Sequence, residues 1–141
     1  MNMQSNANEL IQGNQIDNAF LQSFSDAWNN HDIEALMSFM TDDCIFHTVA
    51  GEGLFGNTIE GKEAVRASFE AVWKTFPDAA WSDPTHFICG DRAVTESTFS
   101  ATNPDGSVIE ARMVDVFTLK DGKIYVKNAF RKNRPNFTPK K

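Results

Sequence analysis

The apolar residues in the first half of the chain recur at helical spacing. From Ile16 to Trp28 they lie about four residues apart, which places them on one face of a helix that Asn29-Asn30-His31 ends. Asp32 is a suitable N-cap for a second, short helix, and a third helix is predicted from about Lys62 to Thr75. Each of these helices is therefore expected to pack through one face.

The pattern becomes strand-like after the third helix and remains so. The connections Gly90-Asp91, Asn103 to Gly106 and Lys120 to Gly122 are turn sequences typical of antiparallel hairpins. One strand is also predicted before the third helix, and a glycine-rich loop from Gly51 to Gly61 follows it. The predicted strands are Cys44 to Ala50, Ala80 to Cys89, Arg92 to Thr102, Ser107 to Leu119 and Lys123 to Lys132.

This order of elements predicts a single α+β domain, with three N-terminal helices packed on a curved, mostly antiparallel sheet. We assign residues 1–15 to a flexible polar leader, residues 16–133 to the domain and residues 134–141 to a basic tail. Three helices are too few to cover both faces of such a sheet. They are expected to enclose a pocket for a small apolar ligand on one face, while the other face contacts a second copy in a homodimer.

The composition argues against some classes of partner and indicates where the protein is located. The formal net charge of −6 and the absence of a long basic stripe argue against nucleic acid or an anionic membrane as a partner. No apolar run reaches the roughly 20 residues needed to span a bilayer, and the first residues lack the features of a signal peptide. Cys44 and Cys89 are isolated in apolar surroundings, which is typical of reduced cysteines in a cytoplasmic protein.

Several stretches between Ile16 and Asn133 are similar to sequences of one superfamily. They are Trp28–Leu36, Met40–Cys44, Ile59–Val65, Val114–Phe117 and Asp121–Ile124. Through them the chain resembles the nuclear transport factor 2-like superfamily, in particular its ketosteroid isomerase and SnoaL-like polyketide cyclase branches. The resemblance implies a cone-shaped, cystatin-like α+β fold, which carries isomerases, cyclases, hydrolases, dehydratases and non-catalytic binding modules.

Asp115 is the first candidate for chemistry. It alternates with Met113 and Phe117 on one strand face, so its carboxyl group is expected among apolar side chains. The resemblance matches Asp115 to the ketosteroid isomerase aspartic acid that donates to the developing enolate oxygen. The other two members of that set are missing, because Thr48 stands at the position of the base and Phe24 at that of the tyrosine donor. Steroid isomerisation by that route is therefore not expected.

His47 is the available replacement for the missing base. Imidazole titrates near neutrality, so His47 as base with Asp115 as donor or orienter is chemically reasonable. Strand alternation allows only one of His47 and Thr48 to face the cavity. The alternatives are a His47 that is packed or hydrogen-bonded at the sheet edge or dimer interface, and an Asp115 that is a structural carboxylate.

The last strand alternates between a cationic and an apolar face. If Lys127 and Arg131 faced the pocket they would suit an anionic substrate group, whereas hydrophobicity favours the face of Val126 and Phe130 as the inward one. The histidines lack metal-ligand spacing and no phosphate or dinucleotide motif occurs, so we expect no metal and no cofactor. The predicted substrate-binding residues are Phe24, Trp28, Phe55, Phe69, Trp73, Met113, Phe117, Lys127 and Arg131.

Two functions are compatible with these residues. One is a cofactor-free proton-transfer enzyme of the isomerase, cyclase or hydrolase type, acting on a small apolar carbonyl compound. The other is a non-catalytic module for binding a small ligand or for dimerisation, in which Asp115 is structural.

Overall fold

The computed structural model describes residues 16–139, so the predicted leader 1–15 and the last two residues of the predicted tail lie outside the described residues. The helices are α1, Asn18–Asn29, α2, Ile33–Ser38, and α3, Lys62–Thr75. The Asp32 side chain caps α2 as predicted, because it accepts a hydrogen bond of 3.1 Å from the amide of Ala35. The three predicted helices are confirmed.

Six strands form one open sheet in the order β2-β1-β6-β5-β4-β3. Neighbouring strands are antiparallel except β1 and β6, which are parallel. The α+β prediction is confirmed, with one strand added, because β2 occupies part of the predicted glycine-rich loop. The strands are β1, Met40–His47, β2, Thr58–Glu60, β3, Ala80–Cys89, β4, Arg92–Thr102, β5, Val108–Lys120, and β6, Lys123–Arg131.

Irregular pairing bends the sheet at three places. The register shifts between Met40 and Ile45 in β1, between Ser82 and Thr85 in β3, and where Leu119 of β5 pairs with β6. An extra residue in one strand increases the local twist and reverses which side chains face the core after it. These bulges curve the sheet around the helices.

The helices cover one face of the sheet. Their apolar residues interlock with the inward residues of the strands, and Leu21, Leu36, Phe69 and Phe117 are almost completely buried there. Within the described residues, no helix is both long and apolar enough to cross a membrane. Part of the predicted tail packs on the sheet, since Phe137 pairs with Val108 by two backbone hydrogen bonds of 2.6 and 3.1 Å.

Candidate functional site

A cavity of about 270 Å³ lies between α1, α3 and the concave face of the sheet. This is near the lower end of the volume of small-molecule sites, about 300 Å³, and suits a compound of one or two rings. Its polar lining residues are Thr48, Ser68, Lys127 and Arg131. The apolar lining residues are Trp28, Phe46, Val49, Val72, Phe76, Trp81, Phe99, Met113 and Ala129.

Aromatic rings form most of the wall. The centroid of the Trp28 ring lies 4.7 Å from that of Phe69 and 4.8 Å from that of Trp81. Such contacts hold the rings in fixed orientations without polar partners. The indole Nε1 of Trp28 is buried and has no hydrogen-bond partner among residues 16–139.

Lys127 points into this cavity. Tyr125 is the extra residue of the bulge, because Leu119 pairs with Ile124 whereas Thr118 pairs with Val126. The bulge places Ile124 and Lys127 on the same side of the sheet although they are three residues apart. The hydrophobicity argument that turned Val126 and Phe130 inward is therefore wrong, and the alternative with Lys127 and Arg131 inward is correct.

The ammonium group of Lys127 and the carboxylate of Asp115 form a buried ion pair. Lys127 Nζ donates to Asp115 Oδ1 at 2.9 Å, and the two side chains are only 6% and 11% exposed. Asp115 pairs with Ala129, so Lys127 is its diagonal neighbour on the same sheet face. The prediction that Asp115 lies among apolar side chains agrees with this burial, and Lys127 is the partner that sequence reasoning did not assign.

Aromatic faces surround the same ammonium group. Nζ of Lys127 lies 4.8 Å from the ring centroid of Phe46 and 5.2 Å from that of Trp28. Ring quadrupoles attract a cation at these distances. Both contacts and the ion pair thus hold the ammonium group of Lys127 in place at the cavity wall.

Arg131 is the second cation of the cavity. Its guanidinium carbon lies 5.1 Å from the ring centroid of Phe99, which also lines the cavity. Burial lowers the pKa of Arg131 from its ordinary value. Within the described part of the chain, the Arg131 side chain has no ion pair and no hydrogen bond, in contrast to Lys127.

His47 lies on the opposite face of the sheet. It pairs with Asn128 on one side and Thr58 on the other, and its ring Nδ1 is 3.0 Å from the hydroxyl oxygen of Thr58. Its neighbours Phe46 and Thr48 are the residues that line the cavity. The expectation that His47 and Asp115 share one cavity is therefore wrong, because β1 alternation turns the imidazole away.

The predicted lining residues divide into three groups. Trp28, Met113, Lys127 and Arg131 line the cavity. Phe24, Phe69, Trp73 and Phe117 are buried behind its wall, since each packs on other aromatic rings. Phe55 is 54% exposed in the loop after β1 and stacks on His47, so it contributes to the other face.

Sequence reasoning missed several wall residues from the end of α3 and from β4. Phe76 and Phe99 are the largest of them, and the centroid of the Phe99 ring lies 6.2 Å from that of Phe76 and 5.3 Å from that of Trp81, which also lines the cavity. Alternation along β4 already placed Phe99 with the inward Ala101. That signal identifies a face, but only the curvature of the sheet shows which part of it is left uncovered.

The hydroxyl of Thr48 lines the cavity but is already hydrogen-bonded. The hydroxyl of Thr48 donates to the carbonyl of Ala50 at 2.7 Å and accepts from the amide of Asn57 at 2.9 Å, so its hydrogen bonds are used within the loop. Within residues 16–139, no three His, Cys, Asp or Glu side chains are grouped as metal binding requires.

Most of the chain matches the model of a known domain family. Residues 21–126 match the model of the SnoaL-like domain, which covers more than half of the chain. The chain belongs to the SnoaL-like family. This family is part of the nuclear transport factor 2-like superfamily, as the sequence resemblance predicted. No curated protein matches this SnoaL-like chain.

Solved structures show the same fold. A candidate polyketide cyclase from Xanthomonas campestris pv. campestris has a TM-score of 0.73 at 16% identity, covering 87% of this chain and 93% of its own. A protein with a ketosteroid isomerase-like fold from Catenulispora acidiphila, in complex with trimethylamine, has a TM-score of 0.69 at 13% identity, covering 79% and 83%. TerC, co-crystallised with polyporic acid, has a TM-score of 0.68 at 22% identity, covering 81% and 89%. At these identities the likeness shows the fold alone.

Proposed function

We propose that this SnoaL-like protein binds a small apolar carbonyl compound in its cavity and catalyses proton transfer at the carbon beside the carbonyl, without a cofactor. The carrying observation is the buried pair of Lys127 and Asp115, whose cationic member lines the cavity. Two of the similar structures, named as a candidate polyketide cyclase and as a ketosteroid isomerase-like fold, support a reaction of this class.

Lys127 supplies the charge that the transition state needs. An ammonium group has three N–H donors, and one of them goes to Asp115. The remaining donors are directed to the ligand's carbonyl oxygen, where negative charge develops as the C–H bond breaks and its electron pair moves to form the enolate. Donors preorganised at such an oxygen typically contribute about 10²- to 10³-fold in rate.

Asp115 has two tasks in this proposal. Through Oδ1 it fixes Lys127, and its second oxygen accepts no hydrogen bond from the described residues. Because the carboxylate lies behind Lys127 and not in the cavity wall, the proposal requires that the ligand's C–H bond approaches beside Lys127, where this second oxygen receives the proton. His47 has no part in this scheme, since it lies on the far face of the sheet. Return of the proton to a different carbon gives isomerisation, and attack of the enolate on a second carbonyl gives cyclisation.

Solvent deuterium exchange tests the proposal without knowledge of the natural substrate. β-Tetralone is incubated with the protein in deuterated buffer, and loss of the α-proton signal is followed by NMR. We expect the wild type to accelerate exchange over buffer, Lys127→Met to lower the rate by about 10²-fold or more, and Asp115→Asn to lower it similarly. Lys123→Gln removes an exposed cation from the start of the same strand and serves as the matched control.

The outcome separates catalysis from binding. A wild-type rate equal to that of buffer, with β-tetralone bound to the protein in calorimetry, contradicts the catalytic proposal. Equal rates for wild type and Lys127→Met would contradict the assigned role of Lys127 even if exchange occurred. Circular dichroism of each variant establishes that the fold is retained.

A non-catalytic binding module is the second candidate. One observation favours it: within the described chain, the residues that line the cavity include no carboxylate and no imidazole. Asp115 lies behind Lys127 rather than in the wall, so the pair would then fix only the shape and charge of the site. TerC, whose structure contains polyporic acid, supports ligand binding by this fold.

We further propose that the protein forms a homodimer through the uncovered face of the sheet. Phe87, Val94, Val116 and Asn128 follow one another across that face by register, and the side chain of Phe87 is 56% exposed. Such a row is suited to contact with a second copy. We expect sedimentation to show a dimer for the wild type and a monomer for Phe87→Asp. A wild type that sediments as a monomer contradicts the proposed homodimer.

A cytoplasmic location is also proposed. Cys44 is buried, Cys89 is exposed, and both are free thiols. Free cysteines support a reducing compartment. Fractionation of cells that express the full chain tests this directly.

A further inference from the structure

The charges around the cavity do not cancel. Lys127 is neutralised by Asp115 at 2.9 Å, whereas Arg131 has no carboxylate partner among residues 16–139. No other charged side chain lines the cavity in the described chain. The site therefore carries about one uncompensated positive charge, on a guanidinium that is partly buried beside the Phe99 ring.

The hydrogen-bonding groups are equally one-sided. The guanidinium of Arg131 has five N–H donors, and Lys127 has donors beyond the one that goes to Asp115. The hydroxyl of Thr48 is already engaged in the loop. Among the lining side chains of the described residues the N–H donors outnumber the acceptors, of which the Ser68 hydroxyl is the one outside the loop, so a matching ligand supplies acceptors.

The two cations are separated along one strand. Lys127 and Arg131 are four residues apart on the same face of β6, which corresponds to roughly 13 Å between their Cα atoms. Trp81, Phe99 and Met113 contribute apolar surface to the same cavity. A ligand that contacts both cations therefore has an acceptor group for each of them, and a flat apolar body suits the aromatic rings beside them.

From these observations we infer that the ligand is a flat organic monoanion whose carboxylate or enolate group binds Arg131 and whose carbonyl oxygen meets Lys127. The inference rests on the proposed function, because it concerns the same cavity, and it adds the charge and the orientation of the substrate. Arg131 binds a planar anion through two parallel N–H donors, and its contact with Phe99 holds the fork in place.

Matched aromatic probes of different charge test the inference. β-Naphthoate, β-naphthamide and β-naphthylmethylammonium have the same ring system and differ in the charge of the substituent. Isothermal titration calorimetry is expected to show β-naphthoate binding to the wild type at least about 10-fold more tightly than the amide, with the cation weakest.

Variants of Arg131 identify the residue that sets this preference. We expect Arg131→Gln to bind acid and amide with nearly equal affinity, while Arg131→Lys keeps part of the preference because it keeps the charge. Lys123→Gln, which removes an exposed cation from the same strand, leaves the ratio of affinities unchanged. Thermal melting shows that each variant is folded at the temperature of the titration.

Three results overturn the inference: equal wild-type affinity for acid and amide, a preference that survives in Arg131→Gln, and a preference that Lys123→Gln also removes. Deuterium exchange of the neutral β-tetralone is the separate measure of the proposed catalysis. If exchange occurs but the preference for the anion is absent, only the inference about charge fails. If the preference is present but exchange is absent, the anion site stands and the catalytic proposal fails.

Discussion

The buried pair of Lys127 and Asp115 makes a quantitative prediction about stability. Replacing Lys127 by Met leaves a buried carboxylate without its cation, and replacing Asp115 by Val leaves a buried ammonium without its anion. Loss of one partner from a buried pair costs about 3–5 kcal/mol, whereas replacement of both by apolar residues of similar size is often neutral. We therefore expect both single variants to be much less stable than the double variant.

The magnitude follows from the geometry of the pair. Unit charges 2.9 Å apart attract by about 6 kcal/mol at an effective dielectric constant of about 20. The cost of removing both groups from water offsets most of this attraction in the wild type, but an unpaired partner keeps its cost. We expect each single variant to lose about 3 kcal/mol or more of unfolding free energy, and the double variant to stay within about 1 kcal/mol of the wild type.

Urea unfolding of the four proteins measures this double-mutant cycle. Tryptophan fluorescence is a suitable signal, because the Trp28 ring lies 5.2 Å from Nζ of Lys127 and is buried. The coupling energy is expected to be about 5 kcal/mol or more, because two single losses of about 3 kcal/mol each compare with a change of at most about 1 kcal/mol in the double variant. Additive losses, with a coupling below about 0.5 kcal/mol, would refute the claim that these two groups form a desolvated pair.

Two further predictions concern the loop and the α1–β3 contact. Gly56 has φ of +72°, and a Cβ added there would clash with the carbonyl oxygen of Thr48, so Gly56→Ala should cost about 2 kcal/mol or more of unfolding free energy. Gly106 has φ of +86° but open space around an added Cβ, so Gly106→Ala should cost only about 1 kcal/mol. Thermal melting of both variants checks this, and equal losses would show that contact with Thr48 is unimportant. Burial lowers the pKa of His86, so its stabilising contribution is present above the unfolded value of about 6.5 and is lost as pH falls through the folded pKa. Urea unfolding should show that lowering the pH from about 7.5 to about 5 reduces the unfolding free energy less for His86→Gln than for the wild type. Equal reductions for the two proteins would contradict this assignment.

Local patterns predicted the elements well because each one carried its own signal. The apolar spacing from Ile16 to Trp28, the cap at Asp32 and the hairpin turns are local features, and α1, α2 and the meander of β3 to β6 follow from them. The short strand β2 escaped prediction because Thr58–Glu60 has only three residues and is defined by its pairing with β1. Pairing of that kind is a tertiary effect.

The site was predictable only in part, for a geometric reason. The inward position of Asp115 followed from alternation with Met113 and Phe117, and the structure agrees. The inward position of Lys127 depends on the bulge at Tyr125, which no local signal in β6 indicates. One extra residue changes the face of every later side chain, so the hydrophobic pattern of that strand gave the wrong face. A requirement that the buried carboxylate have a cationic partner would have favoured Lys127.

The central claim is that Lys127 is a shielded ammonium group that faces the bound ligand. Nitrogen-edited NMR of lysine side chains tests it most directly, because only an ammonium group shielded from water exchanges its protons slowly enough to be observed readily. We predict one such signal that disappears in Lys127→Met and shifts when β-naphthoate or β-tetralone is added. A spectrum without a protected ammonium signal, or one whose Lys127 signal does not respond to either compound, would contradict the account.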